Sequence, residues 1–296
     1  MNVLITGACG QIGISLIKHL STQGYDIIAT DLDIDRVEKL GIKNVECFES
    51  DIRFPDTLNN PLIQKARILI HLAGSKVTDF DSGEELFQIN TIGTVNILES
   101  LPRSINRIIF PSTMSVYGAV QTNPVTEEFP ENPDNLYGAS KLSSEKLCEL
   151  YARENEIEFI SLRISGVYGG CLTDNAISSF IRKAFSNEDI CIDCGKDTYR
   201  DYLYITDCVN AITAAVTTKK QGVFNIGSGV GIPVHKIAEK VISFSESKSN
   251  LFFSKKKVRP TFSFVYNINK AKQIPFIPRT SIDLGLKKFI NNEIQK

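Results

Sequence analysis

The chain has no surplus of charge: 33 Lys+Arg stand against 34 Asp+Glu in 296 residues, a formal net charge of −1. That balance argues against a nucleic-acid binder working through a global basic field. No apolar run approaches the roughly 18 residues needed to span a bilayer. The first residues, Asn2-Val3-Leu4-Ile5-Thr6, read as a strand and not as a signal peptide. There is no internal repeat and no low-complexity linker. A second cysteine pair or a histidine pair at zinc spacing is also missing. The seven cysteines are an odd, scattered set, as expected of reduced thiols in a cytosolic protein. Cys191-Ile192-Asp193-Cys194 has the C-x-x-C form, but its alternation with Ile190 predicts a strand with the two thiols on opposite faces. No metal site is expected. With 42% hydrophobic and 23% charged residues, the remaining class is a soluble globular protein with a sizeable core.

Short β-like runs alternate with helical patterns through the first half. Residues 3–6, 26–30, 45–48, 68–71, 107–111 and 157–163 read as strands, rich in Ile, Val, Leu and Phe. Residues 12–23, 35–40, 84–101 and 136–155 read as helices. This alternation predicts a parallel sheet covered on both faces, and the nearly continuous apolar strands fit that burial. After Gly166 the pattern changes to helices at 175–185 and 234–244, short strands and a further core strand at 223–226. The basic run Lys255-Lys256-Lys257 reads as a solvated surface.

The strongest local signal is Thr6-Gly7-Ala8-Cys9-Gly10-Gln11-Ile12-Gly13, between the first strand and the first helix. A dinucleotide pyrophosphate needs a tight turn without side chains in its path and free N–H groups at a helix start. Gly7, Gly10 and Gly13 suit the turn, the phosphate approach and the helix–strand packing, and the backbone of Cys9, Gln11 and Ile12 lines the same turn. Asp31 follows the second strand, placed to accept from ribose hydroxyls and to repel a 2′-phosphate, which favours NAD over NADP. Asp51-Ile52, after the third strand, is a candidate adenine contact. The expected architecture is α/β, a Rossmann-type doubly wound parallel sheet with a smaller C-terminal substrate-binding lobe. Residues 1–164, joined by 203–226, form the NAD-binding domain, and 165–202 with 227–296 form the lobe.

Tyr137-Gly138-Ala139-Ser140-Lys141 sets a phenol and an ammonium four apart at a helix start, on one face. In isolation such a pair is an ordinary surface feature. After a nucleotide-binding half and Phe110-Pro111-Ser112-Thr113 it reads as catalytic, because a nearby cation lowers a phenol's pKa from about 10. With these motifs the sequence resembles the extended short-chain dehydrogenase/reductases, the nucleotide-sugar epimerase/dehydratase family. The likeness extends through His71-Leu72-Ala73-Gly74-Ser75-Lys76, Asn90-Thr91-Ile92-Gly93, Leu162-Arg163-Ile164-Ser165-Gly166, Arg200-Asp201-Tyr202 and Arg259-Pro260.

The resemblance implies roles by position. Tyr137 looks like the general base, Lys141 its electrostatic partner and ribose ligand, and Thr113 the hydroxyl that bonds the sugar oxygen, with Ser112 adjacent. Leu72, Ala73, Gly74, Lys76 and Asn90 resemble residues lining the NAD site, and Lys76 also the substrate. Arg200 and Arg259 resemble arginines that meet a substrate diphosphate, and guanidinium forks suit that anion. Ser165 stands where many members have a diphosphate-contacting asparagine. Met114-Ser115 replaces the acidic residues that dehydratases and decarboxylases need, so those reactions are not expected. The implied activity is an NAD-dependent nucleotide-sugar 4-epimerase of the UDP-hexose type. Alternatives are a 4-ketoreductase on an NDP-4-keto-6-deoxy sugar and a catalytically silent dinucleotide-binding regulator. The resemblance further implies a cytoplasmic homodimer paired through a four-helix bundle of helices 84–101 and 136–155, with no nucleic-acid or membrane partner.

Overall fold

A computed structural model of the chain describes residues 1–76, 83–173, 175–254 and 262–294. The chain runs β1 (Asn2–Thr6), α1 (Gln11–Thr22), β2 (Asp26–Asp31), α2 (Asp35–Glu38), β3 (Val45–Glu49) and β4 (Ile68–His71). It continues through α3 (Gly83–Phe87), a π-turn (Gln88–Ile92), α4 (Gly93–Ser100), β5 (Arg107–Thr113), α5 (Leu136–Glu154) and β6 (Glu158–Ile164). Then come β7 (Gly166–Tyr168), α6 (Ala176–Phe185), β8 (Ile190–Ile192), β9 (Tyr199–Tyr204), α7 (Ile205–Thr217) and β10 (Gly222–Ile226). The last elements are β11 (Gly231–Pro233), α8 (Val234–Phe244), β12 (Leu251–Phe253) and α9 (Ile282–Ile294).

Seven strands form one sheet in the order β10-β6-β5-β4-β1-β2-β3, every neighbouring pair parallel. The chain winds outward from β1 to β3 and then returns to β4 on the other side. β1 and β4 therefore flank the switch point, where loops at the strand ends diverge and leave a crevice. β4 and β5 are buried along their whole length, as their apolar runs require. Leu16, Ile17 and Leu20 of α1 pack with Val209 and Ile212 of α7 on one face. Ile97 and Leu98 of α4 pack with Cys148 and Ala152 of α5 on the other. A separate core joins Phe180 and Ile181 of α6, Ile237 and Val241 of α8, and Leu286 and Phe289 of α9. Two small sheets, β11-β9-β7 and β12-β8, accompany it.

Two expectations change in detail. The helix predicted over 84–101 is interrupted by the π-turn at Gln88–Ile92. There the Asn90 carbonyl accepts from the Thr94 hydroxyl at 2.5 Å and the Ser144 hydroxyl at 2.6 Å, displacing regular helix bonding. The strand expected through Cys194 stops at Ile192, and Asp193 turns back to accept from Cys191 Sγ at 3.6 Å. All seven cysteines are free thiols. Among the described residues no helix is long and apolar enough to cross a membrane, and no group of three His, Cys, Asp or Glu could hold a metal.

Candidate active site

Two adjoining clefts lie along the C-terminal ends of the parallel strands, and Leu72, Gly74 and Ser75 belong to the walls of both. The first, about 540 Å³, is bounded by Gly7, Cys9, Gly10, Asp31, Asp51, Ile52 and Ala73, among others. Its floor depends on missing side chains. Gly7 sits at φ +66°, and a Cβ there would lie 2.6 Å from Ala73 N and Leu72 C. A Cβ on Gly13 would lie 2.5 Å from the Gly7 and Ala8 carbonyl oxygens. Gly10 has an ordinary φ of −66° and serves as the N-cap of α1.

The turn is held by its own N–H groups. Ala8 N donates to Thr30 O at 3.2 Å, Cys9 N to Asp31 Oδ2 at 2.8 Å, and Gly10 N to Gly7 O at 3.2 Å. Gln11, Ile12 and Gly13 follow as the first helical residues, whose N–H groups have no carbonyl to meet within the helix. They are the donors left for an anion. Asp51 also lines this cleft, but its carboxylate is chelated by Arg53, with Oδ2 at 2.6 Å from Nη2. Those hydrogen bonds hold the Asp51 carboxyl below its usual range.

The second cleft, about 380 Å³, is lined by Ser112, Thr113, Tyr137, Lys141, Lys76, Ser165, Gln11 and Ile12. Asn135 caps α5 by accepting from Gly138 N at 2.9 Å. A side chain at Gly138 would collide with Ser115 O, so the helix start presses on the turn after β5. That contact carries Tyr137 to Thr113. Burial raises the Tyr137 pKa, and a bond from the Thr113 hydroxyl opposes the rise. Lys141 is 6% exposed, and desolvation pulls its pKa down to about 8. Its Nζ stands 4.1 Å from the centre of the Phe110 ring. Among the described residues it forms no ion pair. Ser112 Oγ, on the same wall, is buried without a hydrogen-bond partner among them. A partly buried phenol beside a desolvated ammonium and an unpaired hydroxyl is an arrangement prepared for a polar ligand.

Residues 3–227 match the NAD dependent epimerase/dehydratase family. The chain belongs to that family. An uncharacterized UDP-glucose epimerase of Bacillus subtilis is 30% identical, over 97% of this chain and 96% of its own. The crystal structure of UDP-glucose 4-epimerase from Thermotoga maritima, with UDP-glucose, is 26% identical. It superposes with a TM-score of 0.90 over 100% of this chain and 99% of that one. UDP-glucuronic acid 4-epimerase from Bacillus cereus, in complex with UDP-glucuronic acid and NAD, is 27% identical. Its TM-score is 0.88, again over 100% and 99%.

For this member of the NAD-dependent epimerase/dehydratase family the cofactor is NAD, and the residues fit it. The turn has no room for a Cβ at Gly7 or Gly13, the α1 start offers unpaired donors, and Ser112 Oγ is buried without a hydrogen-bond partner among the described residues. The first cleft suits the adenosine end, and the second suits the nicotinamide end with the substrate.

Several expected residues lie elsewhere. Asn90 is 2% exposed and lines neither cleft. Its Oδ1 accepts from Ser75 N at 2.7 Å, and its Nδ2 donates to Ser75 O at 3.0 Å and Ser140 Oγ at 2.9 Å. It clamps the loop that both clefts share. Arg200, on β9, also lines neither cleft; its Nη1 donates to the backbone carbonyls of Tyr199 and Phe262. Ser165 lines the second cleft, but its hydroxyl reaches Asp201 Oδ1 at 3.5 Å. Arg259 and Lys255-Lys256-Lys257 lie outside the described residues.

The structure adds residues that the sequence reading passed over. His71 is buried, with Nδ1 2.7 Å from Thr6 Oγ1 and Nε2 3.0 Å from Thr94 Oγ1. Because Thr94 donates to Asn90 O, the network assigns the ring proton to Nε2. Burial lowers the His71 pKa to about 3, so the ring stays neutral and joins β1 to the Asn90 segment. Ser140 and Ser144 close the same network on α5, donating to Tyr137 O at 2.9 Å and Asn90 O at 2.6 Å. The available signal was small polar residues on the inward face of α5, beside Tyr137 and Lys141.

Proposed function

We propose that the protein is an NAD-dependent nucleotide-sugar 4-epimerase acting on a UDP-hexose. The observation that carries this reading is Thr113, Tyr137 and Lys141 gathered in one pocket that opens onto the glycine-turn cleft. NAD, when bound, supplies a reversible hydride acceptor and a positive ring beside the phenol. Every other task falls to side chains. Gly7, Gly13 and the N–H groups of Gln11 and Ile12 bind the pyrophosphate, and Asp31 takes the adenosine ribose. Lys141 holds the second ribose, and its charge favours the Tyr137 phenolate. Thr113 Oγ1 fixes the sugar 4-oxygen, and Tyr137 Oη removes its proton and later returns it. The 4-keto sugar turns within the pocket between the two transfers. Positioning and proton transfer share the work.

Met114 and Ser115 line the pocket where elimination or decarboxylation would need a carboxyl group, which speaks against those reactions. The 4-ketoreductase reading is kept by Ser165, whose short hydroxyl lines the substrate pocket and turns to Asp201. The relatives' UDP-sugars and bound NAD favour the epimerase. We further infer a homodimer through the α3–α4 segment and α5, where Ile92 of the π-turn and Leu150 are exposed, in a reducing cytoplasm that keeps the thiols free.

The test begins by denaturing freshly purified protein and identifying the released dinucleotide, then screening UDP-hexoses for their 4-epimers. Near-stoichiometric NAD with interconversion of one pair is the expected result. Empty protein that binds NADH or NADPH reversibly and reduces a 4-keto sugar would replace the epimerase with the ketoreductase.

A further inference from the structure

The adenosine cleft carries an arginine that the family reading leaves without a task. Cys9, within the glycine turn, is gripped from two sides. Its N–H donates to Asp31 Oδ2 at 2.8 Å, and its carbonyl accepts from Arg36 Nη1 at 2.6 Å. Asp31 Oδ1 accepts from Leu32 N at 2.8 Å, so both carboxylate oxygens also serve the backbone. Arg36 stands in the first turn of α2, five residues past Asp31, and lines the same cleft.

The other arginine of this cleft is engaged. Arg53 chelates Asp51 at 2.6 Å and reaches Glu85 Oε1 at 3.4 Å. Arg36 forms no ion pair among the described residues. A guanidinium has five N–H donors, and the Cys9 carbonyl occupies only one side of the fork. The ribose end of the cleft is thus a site of two signs. A 2′-phosphate would be repelled by Asp31 and attracted, in bidentate fashion, by Arg36.

We infer that Arg36 is a phosphate-reading cation already in place beside the adenosine ribose, and that the Asp31 charge is what chiefly keeps 2′-phosphorylated dinucleotides out. Cofactor choice then rests on the strand-end carboxylate working against a resident arginine. Neutralising Asp31 opens the site to NADP with no cation introduced. Arg36 also fixes the Cys9 carbonyl, so it serves the unphosphorylated cofactor as a positioning residue.

Titration calorimetry on nucleotide-stripped protein tests this without any sugar turnover, so its outcome is independent of the epimerase reading. The probes are NAD, NADP, 5′-ADP and 2′,5′-ADP. Wild type should prefer NAD and 5′-ADP. Asp31→Asn keeps an acceptor for one backbone N–H, and it should shift the preference towards NADP and 2′,5′-ADP by tenfold or more. Adding Arg36→Ala to that variant should cancel the shift. An Asp31→Asn protein that still binds NAD but gains nothing for NADP would overturn the inference. So would a gain that survives Arg36→Ala, because it would assign the phosphate to another cation. Should Asp31→Asn fail to fold, Arg36→Ala alone decides. It should widen the wild-type preference for 5′-ADP over 2′,5′-ADP severalfold, and an unchanged ratio would reject the role.

Discussion

The two clefts are made from different materials. The floor of the adenosine cleft is backbone, a glycine turn of eight residues and the end of β4, with the charged side chains of Asp31, Arg36, Asp51 and Arg53 around it. Its shape depends on atoms that are not there. The catalytic pocket is built of side chains brought from β5, α5, β6 and the loop after β4, each held by a second layer of hydroxyls and amides. Damage to the first should therefore reach both binding and folding. In the second, chemistry should be separable from stability, because its key groups are strained by burial and relieved only when a ligand arrives.

Tyr137→Phe sharpens that contrast most. The ring and its packing remain and only the hydroxyl goes, so NAD content and melting temperature should stay near wild type. Turnover should fall roughly a hundredfold or more, the usual scale for losing a positioned acid/base. Steady-state epimerisation beside a dinucleotide assay checks it, and a near-normal rate would remove Tyr137 from the chemistry. Gly7→Ala is the opposite experiment. The new methyl would meet Ala73 N and Leu72 C at 2.6 Å from a backbone at φ +66°. Left-handed strain of about 1–2 kcal/mol adds to overpacking of about 1–3 kcal/mol. Melting temperature and dinucleotide affinity should fall together. Loss of one without the other would break the distinction drawn between the clefts.

The same contrast explains what could be read before the fold was known. The glycine turn and Asp31 lie within one β-α-β stretch, so periodicity and spacing were enough to place them at a strand end. Thr113, Tyr137 and Lys141 were legible because a rigid strand end and a helix start carry them. For Asn90 the supporting role was not legible: it holds Ser75 and Ser140 from behind the loop, through a π-turn that no local pattern announced. The Arg200 bond from Nη1 to the Phe262 carbonyl was not legible either, a pairing 62 residues apart in the chain. Long-range hydrogen bonds between loops leave no periodic trace in sequence, and the His71 and Arg36 contacts belong to that class.

Lys141→Met gives the finest test, because it separates what the pocket needs from what the fold prefers. Desolvation holds the folded-state pKa near 8, against about 10.4 for an exposed lysine, so the unfolded chain holds a proton more firmly than the native one. Below pH 8 the native protein carries the full cost of a buried ammonium, of order 3 kcal/mol at 1.36 kcal/mol per pKa unit. As pH rises from 8 to about 10.4 the unfolded chain releases that proton too, and the cost disappears. Methionine fills a similar volume without charge, at the expense of the Phe110 contact, worth about 0.5–2 kcal/mol. Nucleotide-stripped Lys141→Met should melt a few degrees above wild type at pH 7, with activity lost. The advantage should shrink steadily between pH 8 and 10. A variant no more stable than wild type at pH 7, or one whose advantage ignores pH, would mean that the ammonium is not strained, and the pocket would lose its claim to be held ready for a ligand.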